Sequence, residues 1–334
     1  MVKVERYKCN PILRPNREHP WEALAAFNGC VVRENEKSKK YHMVYRAISY
    51  KQIYRDHYLN ISSVGYAESD DGINFKGQRL FISPEFNWEI FGCEDPRITK
   101  IDDKYFIFYT GLSNFPPNAI GIKVGVAVTK DFVNVEKHPV TPFNAKAMAL
   151  FPKRINGKLA ALLTINTDLP PAKICIAYFD EESQIWSYKY WTEWFSSAEE
   201  HVVLPPDNKN DQIELGSPPI ETKYGWLVIY AYIKNYLSPP KKPGIETIHL
   251  PKKFGIEAIL FDLKDPSKII GRTRNSLLVP ELEYELYGFV PNVIFPSGAL
   301  VQNGKLYIYY GSADTTCCLA TCNLDELIKE MTSQ

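Results

Sequence analysis

The chain of 334 residues carries no excess of either charge: Lys plus Arg and Asp plus Glu both number 39. No global field draws in nucleic acid or an anionic membrane, so neither is an expected partner. Long hydrophobic runs are missing too. The opening MVKVERYKCNPILRP has no apolar signal region, and no stretch of 18 apolar residues could span a bilayer. The seven cysteines (Cys9, Cys30, Cys93, Cys175, Cys317, Cys318 and Cys322) are odd in number and lack CxxC spacing. That argues against a disulfide framework or a zinc knot and points to a reducing, cytoplasmic setting. The six histidines show no HxH or HExxH spacing, so neither a catalytic metal nor a cofactor is expected. Helix signal is scarce: only NLDELIKEM (323–331), with its asparagine cap, reads as a helix.

What the chain does have is aromatic, alternating sequence. Hydrophobic residues make up 45%, enough for a substantial core, with 21 Tyr, 17 Phe and 6 Trp. A turn followed by an aromatic-rich run of period two recurs as KKYHMVYRA (39–47), DDKYFIFYTG (102–111), NGKLAALLTI (156–165), KYGWLVIYAY (223–232) and NGKLYIYYGS (303–312). Each copy follows a short apolar strand, and most precede a third one. Alternation with Asn-Gly or Asp-Asp turns reads as hairpins. Five such meanders predict an all-β fold, a five-bladed β-propeller with four-stranded antiparallel blades; a two-sheet sandwich is the alternative. The whole of 1–334 is then one catalytic domain, with segment 1–25 and the 323–331 helix packing on it or closing it. The proline-rich stretch 237–253 reads as a long loop over one face. In a propeller, the ends of inner strands converge on one channel. Asn28, Asp95, Arg97, Glu214, Glu257 and Asp314 are thereby candidates for a shared site, of the kind a hydroxyl-rich ring needs.

These phrases resemble glycoside hydrolase family 130, the five-bladed propellers that act on β-mannosides. The matching pieces are FN at 27–28, YR at 45–46, ESDDGINF at 68–75, GCEDPRITKIDDKYFIFYTG, ALFPKRINGK, GSPPIETKYGWLVIY, LFDLKDPSKIIGRT and FPSGALVQNGKLYIYYGSAD. The resemblance implies a manno-oligosaccharide as substrate and Asp95, in EDPR, as the proton donor. Neighbouring Glu94, also a substrate-binding candidate, would help Asp95 keep its proton, and Arg97 would hold substrate hydroxyls or Glu94. Asn28, Arg46, Ser69, Asp70 and Asp314 match positions that hold the mannosyl ring.

The family contains phosphorylases and hydrolases. The basic residues of the phosphorylase pattern are replaced here by Leu163, Thr164, Gln212 and Ala231, and acids enter at Glu214 and Glu257. Water needs a base and phosphate does not. The expectation from this exchange is an inverting glycosidase that cuts β-1,2-mannosides, with Asp95 as acid and Glu214 or Glu257 as base. The competing readings are a phosphorylase drawing its cations from Lys146, Lys153 or Arg154, a non-catalytic sugar-binding propeller, and an arabinanase-like or fructosidase-like hydrolase. The leaving sugar and a homo-oligomeric state are not legible in the residues.

Overall fold

The computed structural model describes residues 2–35, 37–237 and 250–333. Most of the 237–253 loop lies outside the described residues. The chain is built mainly of strands, which form successive antiparallel meanders. The first unit runs Ala25–Arg33, Tyr41–Ile48, Ser62–Ser69 and Lys76–Ile82, and the second Gly92–Ile101, Lys104–Leu112, Ile122–Thr129 and Glu136–Pro139. The third is Ala145–Leu150, Leu159–Ile165, Lys173–Phe179 and Val202–Leu204. In the fourth, Gln212–Leu215 and Ile220–Thr222 both pair with Gly225–Lys234, followed by Lys253–Phe261 and Ile269–Arg272. The fifth consists of Ile294–Gln302, Lys305–Ser312 and Thr316–Asn323, and the N-terminal Glu5–Arg6 supplies its last strand by pairing with Thr321 and Ala320. Each predicted aromatic phrase is the second strand of a unit.

Alternation explains where the apolar residues go. Both faces of each second strand are covered, and one apolar cluster lies between each pair of successive units. Cys30, Val44 and Tyr66 of the first meet Ile98, Ile107 and Tyr109 of the second. The second meets the third where Phe106 and Phe108 pack with Ala161, Leu163 and Trp191. Further clusters join third to fourth and fourth to fifth. A fifth cluster, with Tyr45, Met43, Tyr309 and Leu319, joins the last unit to the first.

Two helices have distinct origins. Leu324–Thr332 is capped by the Asn323 side chain, which accepts from the Glu326 N–H, and buries Leu324, Leu327, Ile328 and Met331. This is the segment its sequence marked. Tyr188–Ser196 was not marked: its Trp191 and Trp194 pack on the third unit, and tertiary burial rather than propensity holds it.

What positions the site is a recurring kink. The innermost strands of the first three units each skip register, between Phe27 and Cys30, Glu94 and Arg97, and Lys146 and Ala149. The first residue of each bulge, Asn28, Asp95 and Ala147, has φ of 52°, 50° and 48°. Such bulges turn a side chain out of the alternating pattern, and Asn and Asp tolerate the left-handed region best. Asn28 and Asp95 are thereby aimed at each other.

Candidate active site

Asp95 is the centre of the arrangement. Its Oδ1 accepts from Asn28 Nδ2 at 2.7 Å and lies 3.5 Å from Arg46 Nη1. Arg46 also donates to Glu94 and, through Nε and Nη2, to Ser62 Oγ at 3.3 and 3.2 Å. Asn28 fits because residue 311 is glycine: a Cβ there would stand 1.9 Å from the Asn28 Oδ1. Burial pushes the Asp95 carboxyl up, but Arg46, Arg97, the Asn28 amide and Lys146 outweigh it and hold the group below its ordinary value. The expectation that Glu94 raises Asp95 is therefore corrected, since Glu94 is turned to Arg46. Among the groups beside Asp95, the Asp314 carboxyl is instead raised, to about 6. Burial is the main cause, reinforced by Asp95, Glu94 and Glu214 and opposed by Arg46.

A second group faces this one. Glu214 accepts from Gln212 Nε2 at 2.8 Å, and burial raises its carboxyl, with Asp95 and Asp168 adding to the effect. Lys146 Nζ lies 3.4 Å from Asp168, whose other oxygen accepts from Asn144 and Thr167, both at 2.9 Å. Burial disfavours the Lys146 ammonium, yet the charges of Glu214, Asp168, Glu94 and Asp95 raise its proton affinity, so it stays a cation inside the site. Tyr236 feels the charges of Glu214, Lys146 and Asp168. Ser62, Asp168 and Tyr236 were missed in the sequence. Nothing in their local phrases marks them, because the tertiary fold alone brings them here.

Four predicted site residues stand elsewhere. Arg97 is fully buried and donates to the carbonyls of Asp95, Pro96, Leu215 and Gly216; it ties the second unit to the fourth and has no face for substrate. Ser69 and Asp70 lie at the far end of the Ser62–Ser69 strand from the serine that Arg46 holds, about 20 Å away at the rise of an extended chain. There Ser69 Oγ caps a turn, accepting from the Asp71 and Gly72 N–H groups, and Asp70 pairs with Lys76 on the surface. The same turn recurs at Asp131, so its residues serve the meander.

Glu257 is the fourth. Glu214 stands opposite Ala231, which pairs with Ile256, whereas Glu257 pairs with Tyr230 opposite Leu215. Directly paired residues share a face, so Glu214 and Glu257 lie on opposite faces of one sheet. Glu257 accepts from Tyr230 OH at 2.8 Å and Ser276 Oγ at 3.2 Å. The motif repeats: Tyr45 donates to Glu22, Tyr109 to Glu89 and Tyr310 to Glu285, all buried. The equivalent of these tyrosines in the third unit is Leu163, which has no such partner to hold. Glu257 belongs to this structural set, not to a catalytic pair. Of the three cations considered for phosphate, Lys153 pairs with the exposed Glu221 and Arg154 with the Gly157 carbonyl; only Lys146 enters the site.

The model of glycoside hydrolase family 130, described as β-1,4-mannooligosaccharide phosphorylase, matches residues 3–333. The chain belongs to this family. It is 32% identical over 330 residues to a 1,2-β-oligomannan phosphorylase of Thermoanaerobacter sp. (strain X514), covering 98% of this chain and 99% of that one. A β-1,2-mannobiose phosphorylase of the same organism is 34% identical over 324 residues, covering 94% and 95%. The fold matches a β-1,2-mannobiose phosphorylase from Listeria innocua with TM-score 0.78 at 24% identity, over 99% of both chains. These relatives overturn the expectation of a hydrolase. The geometry shows why the exchange of charge pointed the wrong way: Glu257 faces away from Glu214, and Lys146, one of the cations named for the phosphorylase alternative, lies in the site. No helix among the described residues is long and apolar enough to cross a membrane.

Proposed function

We propose that the protein is a β-1,2-mannoside phosphorylase, which cleaves a manno-oligosaccharide with inorganic phosphate and releases mannose 1-phosphate. The observation that carries this reading is the full-length likeness to two phosphorylases of β-1,2-linked mannosides. Lys146, paired with Asp168 at 3.4 Å and under the charges of Glu214 and Asp95, is the cation available to the anion in this reading. The architecture in this reading is a single-domain five-bladed propeller. Its support is the apolar cluster between the fifth and first units, the N-terminal strand that completes the fifth, and the inner strand Ala25–Arg33 neighbouring both Gly92–Ile101 and Ile294–Gln302.

In the reaction, the bond from the mannosyl C1 to the leaving oxygen breaks and a bond from C1 to a phosphate oxygen forms on the opposite face. Asp95 gives the leaving oxygen its proton, and hydrogen phosphate supplies the proton that replaces it. The site prepares for this. Asp95 is ionised when the site is empty, and an arriving anion, together with desolvation by the sugar, raises its proton affinity at the moment the acid is needed. Asn28, Arg46, Ser62 and Asp314 surround the ring position, and Arg46 and Glu94 also line a pocket of about 280 Å³ walled by Phe91, Phe115 and Phe289, suited to the leaving sugar. The test is incubation with β-1,2-mannobiose with and without phosphate. Mannose 1-phosphate formed only with phosphate is the expected product; free mannose released at the same rate in its absence would overturn the reading.

A further inference from the structure

Across the fourth sheet from Glu214, on the face that carries Tyr232 and Glu257, lies a second cavity of about 690 Å³. That size falls within the range of small-molecule sites. Its acids are already engaged. Asp207 holds Arg272 through bonds of 3.0 and 2.9 Å, and Asp211 accepts from the Tyr232 hydroxyl and the Asn235 N–H, both at 2.9 Å. Glu257 is held by Tyr230 and Ser276 as described.

Among the described residues, the remaining cations of the lining have no acid at ion-pair distance. Among the described residues Lys234 and Lys253 form no ion pair, and Arg274 reaches only the Ser333 carbonyl, at 3.3 Å. Lys234 and Lys253 also stand directly opposite each other in the antiparallel ladder, where like charges repel. A bridging anion would remove that repulsion. The amides of Asn208 and Asn235 line the same space, which is larger than a bare anion would fill.

We propose that this cavity is a ligand site separate from the Asp95 site, and that it takes a phosphorylated sugar whose phosphate bridges Lys234 and Lys253. The hydroxyls of the sugar face the asparagine amides, and the Arg272–Asp207 pair forms one wall.

Isothermal titration calorimetry with mannose 1-phosphate, inorganic phosphate and mannose tests this on three proteins: wild type, Lys146→Met, and the Lys234→Met/Lys253→Met double variant. The wild type should bind mannose 1-phosphate with a second equivalent that Lys146→Met retains. In the double variant that equivalent should weaken at least about tenfold, as expected for losing charge-assisted bonds to phosphate. Melting temperatures confirm that each variant folds; Lys253→Gln alone, at an exposed position, replaces the double variant if it does not. A single equivalent in the wild type that Lys146→Met abolishes, or unchanged binding in the double variant, overturns the proposal. Equal affinity of this site for inorganic phosphate overturns the sugar component. Failure of the phosphorylase reading would instead remove the Lys146-dependent equivalent and leave the Lys234-dependent one in place.

Discussion

At the scale of single residues, three side chains divide the work of the site by their surroundings. Asp95 is held low by Arg46, Arg97 and Asn28, and in the proposed reaction it is the acid that must gain a proton; Asn in its place should lower kcat by about 10²- to 10⁴-fold, measured as mannose 1-phosphate release, with little change in melting temperature. Lys146→Met should raise the KM for phosphate at least about tenfold while changing the KM for the mannoside less, since only the anion needs the charge. Asp314 is raised by burial among acids, so its effect on stability runs with pH in a definite direction. The folded protein holds this proton more tightly than the unfolded chain, a contribution fully present below the ordinary value of 3.8 and lost as pH rises through about 6. Asp314→Asn should therefore melt higher than wild type at pH 8, with the gap closing by about pH 4.

At the scale of elements, the bulge and the Tyr–Glu pair do different things with the same strands. Bulges at Asn28 and Asp95 rotate polar side chains into the site, while unbulged second strands keep each tyrosine hydroxyl on a buried glutamate. Glu257 reads in sequence as a candidate base because, like Glu214, it is an acid that enters where the basic residues of the phosphorylase pattern are lost. Register shows otherwise: one step along the strand separates a residue facing Glu214 from one facing away. Tyr230→Phe should cost about 1–3 kcal/mol in denaturant unfolding, the penalty of leaving a buried acceptor without its donor, and leave the rate of mannoside cleavage nearly unchanged. A fall of a hundredfold in kcat would return Glu257 and its partner to the chemistry.

At the scale of the whole molecule, the first and last parts of the chain hold each other. The strand Glu5–Arg6 pairs with Thr316–Asn323, and Arg6 binds the fully buried Glu285 through Nε at 2.8 Å and Nη2 at 3.0 Å. Arg6→Ala strands that carboxylate, and about 3–5 kcal/mol of stability should be lost, seen as a lower urea midpoint. Arg97 plays the matching part inside, where its donors join the second unit to carbonyls of the fourth. A residue that reads as a substrate ligand beside an acidic pair is thus a strut.

The sequence by itself determined the strands, their grouping into repeated meanders and the terminal helix, because period-two alternation, turn chemistry and an asparagine cap are local signals. Only the tertiary structure decided which polar residues meet. Ser69 and Ser62 share one strand, and Glu214 and Glu257 share one sheet, yet in each pair one member reaches the site and the other does not. Strand end and sheet face are set by register and by packing between units far apart in sequence, and neither is written in the residues beside the side chain in question.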